Sequence, residues 1–153
     1  MKKISRYINL IARCALQYRS VEFEEIGLSG SNHMYIFYLC RHPGVSQEQL
    51  SKLLHVNKSN VTRSLRCLEE NGFIYRCVNE KDKRNYCIYP TEKAKEVLPF
   101  LIDKINNWNE IISSGLTEEE SDVLFDLLKK VAVNAVEYDE KMKEGLEEDE
   151  ASS

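Results

Sequence analysis

At 153 residues, 42% hydrophobic and 30% charged, the chain can bury a core, and charge interrupts every apolar stretch well short of the roughly 20 residues a membrane span needs. Five cysteines without C-x-x-C spacing (Cys14, Cys40, Cys67, Cys77, Cys87) and three scattered histidines argue against a disulfide framework or a zinc ribbon, so no metal and no cofactor is expected. The net charge of −4 conceals a division, +2 over residues 1–51, +5 over 52–95 and −11 over 96–153, which suits a local anion-binding face on an otherwise acidic protein.

The basic start Met1-Lys2-Lys3 is followed by Arg6 and Arg13, which interrupt any signal-peptide core, so the expected compartment is the cytoplasm. Ile4, Ile8, Ile11, Ala12 and Ala15 recur at spacings of three and four, predicting a first helix with one apolar stripe. Gly27 and the cluster Ser29-Gly30-Ser31 end that region and are expected to cap a second helix carrying Met34, Ile36, Phe37, Tyr38 and Leu39. His42-Pro43-Gly44 stops it. Ser46 with Gln49 three residues on makes a capping box for a short helix through Leu50, Leu53 and Leu54. After a tight connection at His55-Val56, Asn57 can cap a further helix with Val61, Leu65 and Leu68 on its apolar face. Asn71-Gly72 ends this one, with Gly72 suited to the left-handed position and Phe73 ready to pack back.

Two runs rich in aromatic and β-branched residues, 73–78 and 85–89, predict a hairpin around the polar, basic segment 79–84. Thr91 can cap a long helix with Ala94, Val97, Leu98, Leu101, Ile105, Trp108 and Ile112 on one side and a kink expected at Pro99. Thr117 with Glu120 is a second capping box, opening a last helix with Val123, Leu127, Val131, Ala135 and Tyr138 in near-heptad spacing. Residues 144–153 are acidic and expected to be disordered.

Two short helices joined by a tight turn, the second followed by glycine and a basic hairpin, form a helix-turn-helix with a wing. The expected fold class is therefore mainly α with a small β-hairpin wing, a winged helix-turn-helix flanked by N- and C-terminal dimerisation helices. The boundaries read as an N-terminal dimerisation helix and linker at 1–30, a DNA-binding lobe at 31–93, C-terminal dimerisation helices at 94–143 and the acidic tail. The apolar stripes of the terminal helices lack a local partner, and association across a two-fold axis buries them economically, so a homodimer is expected. Asn57, Lys58, Ser59, Asn60, Thr62, Arg63 and Arg66 line one face of the second helix, offering donors, acceptors and positive charge where a helix can enter a major groove. Lys81, Asp82, Lys83 and Arg84 stand at the hairpin tip, where an exposed charge pair of no function would look the same.

The run Leu53-Leu54-His55-Val56-Asn57-Lys58-Ser59-Asn60-Val61-Thr62-Arg63 resembles the recognition helix of the MarR family, and Leu68-Glu69-Glu70-Asn71-Gly72-Phe73-Ile74 resembles its exit. Asp82-Lys83-Arg84 matches that family's D-x-R wing signature, and Tyr89-Pro90-Thr91-Glu92-Lys93 is similar to its strand-to-helix passage, with Pro90 and Ala94 in place of commoner Leu and Gly. The likeness spans roughly 4–140 and is specific through 46–93. It implies a dimeric transcription regulator, a repressor rather than an enzyme, on a pseudo-palindromic double-stranded DNA operator. Recognition helices would enter successive major grooves and wings the flanking minor grooves, with Arg84 in the groove and Asp82 orienting it.

The resemblance also implies modulation by a small phenolic or aromatic effector, or by an oxidant acting on cysteine, with Arg13, Cys14, Tyr18, His33, Tyr35 and Tyr38 as candidates. Cys14 with Tyr18 and Tyr35 resembles the peroxide-sensing branch, which would make the chain a thiol-based redox regulator; a small core residue among core tyrosines reads the same way. Cys77 and Cys87 lie five residues to either side of Asp82, so a simple hairpin register would set them opposite one another. A cysteine-based enzyme lacks any activating motif here. A winged helix used only as a protein-interaction module remains open, and the basic, hydroxyl-rich helix start favours DNA over it.

Overall fold

The computed structural model describes the backbone of residues 3–83 and 85–151, and side chains as far as residue 143. In chain order come α1 (Ile4–Glu22), a 3-10 turn (Glu24–Ile26), α2 (His33–Arg41), β1 (Val45–Ser46), α3 (Gln47–Leu53), α4 (Lys58–Glu70), β2 (Ile74–Val78), β3 (Tyr86–Pro90), α5 (Glu92–Ser113) and α6 (Glu118–Ala151). The fold is mainly α with a small antiparallel sheet in the order β1-β3-β2. The hairpin expected from the sequence thus has a third strand. Val45 and Ser46 pair with Ile88 and Cys87, a two-residue contact too short to leave an alternating pattern in the sequence.

Each predicted helix start has its cap except one. Ser46 and Gln49 form the full capping box, Ser46 Oγ accepting from Gln49 N at 3.2 Å and Gln49 Oε1 accepting from Ser46 N at 2.8 Å. Asn57 Oδ1 accepts from Asn60 N at 2.9 Å, Thr91 Oγ1 from Ala94 N at 3.3 Å, and Thr117 Oγ1 from Glu120 N at 3.2 Å. Such caps contribute about 1 kcal/mol each by satisfying helix-end donors. The exception is α2, where Asn32 takes the cap position with helical dihedrals and no side-chain bond. There the Ser31 and Asn32 carbonyls accept from Met34 and Tyr35 N, so a backbone turn replaces the expected serine cap.

The exit of α4 is closed by Gly72, at φ 74°, and by Phe73 N donating to Leu68 O at 2.8 Å. Phe73 then packs fully buried, with the Lys93 ammonium 4.3 Å from its ring centroid. Thr91 ties the end of β3 to the same turn, its hydroxyl donating to Gly72 O at 2.7 Å and its N–H to Phe73 O at 2.9 Å. That last bond makes the neighbouring pair, Ile74 and Pro90, a non-hydrogen-bonded one, so the proline costs this ladder nothing. Gly44, at φ 86°, lies under Tyr89, whose ring atoms would stand 3.0–3.2 Å from any added Cβ; only glycine meets both demands.

By its internal contacts the chain divides into two compact units, Met1–Glu110 and Ile111–Ser153. Ala94 and Leu101 of α5 join Phe23, which follows α1, and Tyr35, Leu39, Leu50, Leu65 and Phe73 in one buried cluster. Tyr18 fastens α1 to α5 by donating to Lys104 O at 3.1 Å, accepting from Asn107 Nδ2 at 3.0 Å and stacking near Trp108 at 5.1 Å between centroids. Lys104 and Glu22 add a half-buried ion pair at 2.5 Å. Helix α5 continues across Pro99 as a single helix.

In the second unit, α6 opens after Gly115 and runs to Ala151, so the acidic segment expected to be disordered continues the helix at least to that residue. Good helix formers dominate it, and glutamate and lysine support a helix as readily as a solvated coil. No residue of α6 through 143 is buried; Val123, Leu124, Phe125, Leu127, Leu128 and Tyr138 all stand exposed.

Candidate nucleic-acid interface

Helix α4 divides cleanly along its length. Val61, Leu65 and Leu68 are fully buried against the lobe, while Asn57, Lys58, Ser59, Asn60, Thr62, Arg63 and Arg66 face solvent. The apolar face sits over α3 and the sheet, which fixes the orientation of the polar one. Left-handed His55, at φ 50°, makes the turn between the two helices, and Ser51 Oγ closes it by donating to Val56 O at 2.6 Å.

The exposed residues are not equivalent. Asn57 Oδ1 is committed to the cap and also accepts from Ser59 Oγ at 3.0 Å, so both residues build the helix start. Thr62 Oγ1 donates to Lys58 O at 2.8 Å and accepts from Gln47 Nε2 at 2.6 Å, linking α4 to the start of α3. Arg66 Nε pairs with Glu70 at 2.8 Å, an exposed contact that a phosphate can displace at little cost. Among the described residues, the side chains of Lys58, Asn60 and Arg63 make no hydrogen bond or ion pair, and their donors point into solvent at the first two turns.

The hairpin tip is organised by side chains. Asn79 Oδ1 accepts from Lys81 N at 2.9 Å, Asp82 O accepts from Asn85 N at 2.9 Å, and Asp82 Oδ2 accepts from Asn85 Nδ2 at 2.8 Å. Lys81 and Lys83 are exposed. Arg84, expected to be the residue in the minor groove, lies outside the described residues.

Between the starts of α3 and α4 and the tip-side half of the hairpin strands lies a cleft of about 320 Å³ lined by Gln47, Glu48, Lys58, Arg76, Asn85, Tyr86 and Ile88. Only Lys58 of these had been singled out in the sequence. Arg76 is the residue whose signal was available, because a charge between Ile74 and Val78 on the inward face of a short strand demands a partner. It has one: Arg76 Nε lies 3.2 Å from Glu69 Oε2, close enough for an ion pair though not aligned into a hydrogen bond.

Comparison with known proteins decides the family. A model of the MarR family matches residues 26–85. The HTH-type transcriptional regulator YybA of Bacillus subtilis (strain 168), itself uncharacterized, is 32% identical over 149 residues, covering 97% of this chain and 99% of that one. The chain belongs to the MarR family. Among solved structures, a SlyA-like transcription regulator from Listeria monocytogenes has a TM-score of 0.90 at 33% identity, over 95% of this chain and 97% of that one. A second L. monocytogenes protein, described as a MarR family transcriptional regulator and solved in complex with 26mer DNA, has a TM-score of 0.86 at 33% identity, over 95% of this chain and 97% of that one. This MarR-family member is accordingly a transcriptional regulator and not an enzyme.

The residues considered for effector or oxidant sensing do not form one group. Arg13 and Cys14 are exposed on α1, and among the described residues Cys14 makes no hydrogen bond to a tyrosine. Tyr18 is occupied by Lys104 O and Asn107, and Tyr38 stacks on His42 at 4.7 Å between centroids.

His33 and Tyr35 are core residues. Burial holds the Tyr35 phenol above its usual pKa, and the Ser64 hydroxyl partly offsets this without reaching hydrogen-bond alignment. Burial and the nearby Arg19 charge push His33 down to about 4, only partly opposed by the Gly30 backbone, so the ring is neutral at pH 7. It packs between Phe23 and Phe37 at 5.5 and 5.8 Å between centroids. Cys77 and Cys87 do face one another in the hairpin register, as free thiols.

Proposed function

We propose that this MarR-family regulator acts as a homodimer that binds a pseudo-palindromic double-stranded operator and represses transcription in the cytoplasm. The observation that carries the reading is α4 itself: one face locked into the core, the other presenting Lys58, Asn60 and Arg63 with no partner among the described residues. A helix held so rigidly and left so unsatisfied outward suits base-edge and phosphate contacts in a major groove, with Lys81, Asp82, Lys83 and Arg84 entering the flanking minor groove. The relative solved with 26mer DNA supports the same use of the fold. Homodimerisation is supported by exposed apolar side chains on α1 (Ile4, Tyr7, Ile8, Ile11) and on α6 (Leu124, Phe125, Leu127), too many for a stable single chain in water. A two-fold protein reads a two-fold site, which gives the palindrome.

The test is to recover duplexes that the purified protein selects from a random pool, then titrate the consensus against salt. Half-sites about one helical turn apart and a steep fall of affinity with salt are expected. Failure to enrich any sequence, with binding instead to a protein partner, would return the fold to an interaction module. In transcription in vitro from a promoter overlapping the consensus, added protein should lower transcript yield; a rise would make the protein an activator.

A second reading, modulation by a small aromatic acid, is favoured by one observation. Arg19 Nε and His33 Nδ1 are both sealed from solvent without a hydrogen-bond partner, and a carboxylate or phenolate would satisfy them. Benzoate should then weaken operator binding in the parent and not in Arg19→Gln.

A further inference from the structure

We propose that the cleft between α3, α4 and the tip-side half of the hairpin strands seats one phosphodiester of the DNA backbone, held by Arg76 and Lys58, with Glu69 positioning Arg76. This rests on the DNA reading above and adds a contact outside the recognition face and the wing tip. With a helix in a major groove and a hairpin in the adjoining minor groove, one sugar–phosphate strand must cross between the two elements. The cleft lies at that crossing. Its volume of about 320 Å³ is several times the ~30 Å³ share of one water, enough for a phosphate group with bridging waters.

The lining suits an anion. Lys58 and Arg76 bring positive charge, and Tyr86 offers a hydroxyl with no partner among the described residues. The amides of Gln47 and Asn85 are turned to Thr62 and Asp82, at 2.6 and 2.8 Å, and shape the walls. The one opposing carboxylate, Glu48, is drawn to Lys52 at 3.2 Å. Arg76 stands opposite the buried Ile88 in the strand register, and its side chain is 24% exposed. A guanidinium confined so far, meeting Glu69 only through a poorly aligned Nε, keeps donor capacity that a phosphate takes up well. Glu69 fixes where that capacity points.

The experiment uses the full chain and the duplex selected by the parent protein, read by fluorescence anisotropy over a series of salt concentrations. A companion set of duplexes carries a neutral methylphosphonate at one backbone position at a time. Arg76→Gln should bind about ten-fold more weakly at low salt, and its slope of log affinity against log salt should be shallower by about one per subunit. One methylphosphonate position per half-site should weaken the parent and leave Arg76→Gln indifferent. Arg76→Lys should regain the slope while recovering only part of the affinity, because a point charge replaces a fork. Glu69→Gln removes a negative charge beside DNA and would tighten binding by field alone; a positioning residue instead weakens it.

If Arg76→Gln fails to fold, Lys58→Gln, on the exposed helix start, carries the same test and should lose sensitivity at the same backbone position. An arginine variant with unchanged affinity and slope, or one that keeps the parent's methylphosphonate profile, overturns the proposal while DNA binding stands. A parent protein that selects no duplex overturns the DNA reading itself.

Discussion

The winged lobe and helix α6 use the same residue types to opposite ends. In the lobe, Leu50, Val61, Leu65, Leu68, Phe73 and Ile88 are all essentially without exposed surface, every turn is tied by a side chain or a backbone bond, and the polar side chains left over collect on one face. In α6, Leu124, Leu127 and Tyr138 lie at spacings that make a stripe, and they and Phe125 are all exposed. One region completes its core within itself, and the other leaves its apolar side chains exposed. On the proposed homodimer, stability of the lobe and assembly of the regulator lie in separate segments, and substitutions should separate them.

The widest separation is expected between Leu65→Ala and Leu127→Glu. Truncating Leu65 leaves a cavity at the centre of the lobe and should cost about 2–5 kcal/mol in denaturant unfolding, lowering stability at every protein concentration. Leu127→Glu touches nothing in the lobe core, so it should leave the near-native circular dichroism of a folded lobe while shifting sedimentation from dimer to monomer at micromolar concentration. A Leu127→Glu protein that remains a dimer would break the comparison, as would a Leu65→Ala protein of parental stability.

The lobe's completeness has a pH limit, and His33 sets it. Unfolded, the imidazole titrates near 6.5; folded, it is held at about 4 by burial and by Arg19. Between those values the unfolded chain binds a proton that the folded chain refuses. Stability from this group is therefore full above pH 6.5, falls as the pH drops through the window, and is lost below 4, up to about 3 kcal/mol in all. His33→Phe, which keeps an aromatic ring against Phe23 and Phe37, should flatten that part of the stability profile relative to the parent. Equal slopes between pH 4 and 6.5 in the two proteins would mean that other groups carry the acid sensitivity.

The same division explains what could be read in the sequence. Capping boxes at Ser46 and Thr117, the Asn57 cap and the Gly72 exit are set by residues three or four apart, and each is where the pattern puts it. The two faces of α4 follow from one helical period. Contacts between distant segments leave no such trace: Tyr18 with Lys104 and the pairing of Val45 with Ile88 arise only once the chain is folded. This is why the two faces of α4 were legible and the cleft beside it was not. The sequence could not assign the effector candidates for a related reason, since a tyrosine on an amphipathic helix has the same spacing whether it meets a ligand or, like Tyr18, a backbone carbonyl.

The smallest expected effect, and the one that sharpens the account of the wing, concerns Asp82. Its carboxylate accepts from Asn85 Nδ2 at 2.8 Å and its carbonyl from Asn85 N at 2.9 Å, closing the tip on which Lys81, Lys83 and Arg84 are carried. A negative charge beside DNA is unfavourable, so on field alone Asp82→Ala should tighten operator binding. If Asp82 instead organises the tip, removing it loosens the cations that must reach the minor groove together, and affinity should fall by a few-fold despite the better charge. The two accounts predict opposite signs. Asn85→Ala leaves the net charge alone and removes the same side-chain bond, so it should weaken binding in like measure. In a double-mutant cycle the second substitution should add little to the first. Arg84→Ala separates the tip's shape from its charge: it should weaken binding and reduce the salt slope by about one contact per subunit, while Asn85→Ala leaves that slope unchanged. Tighter binding by Asp82→Ala, together with additive effects of Asp82 and Asn85, would mean that the tip needs no internal bracing and that its cations find the groove as flexible chains.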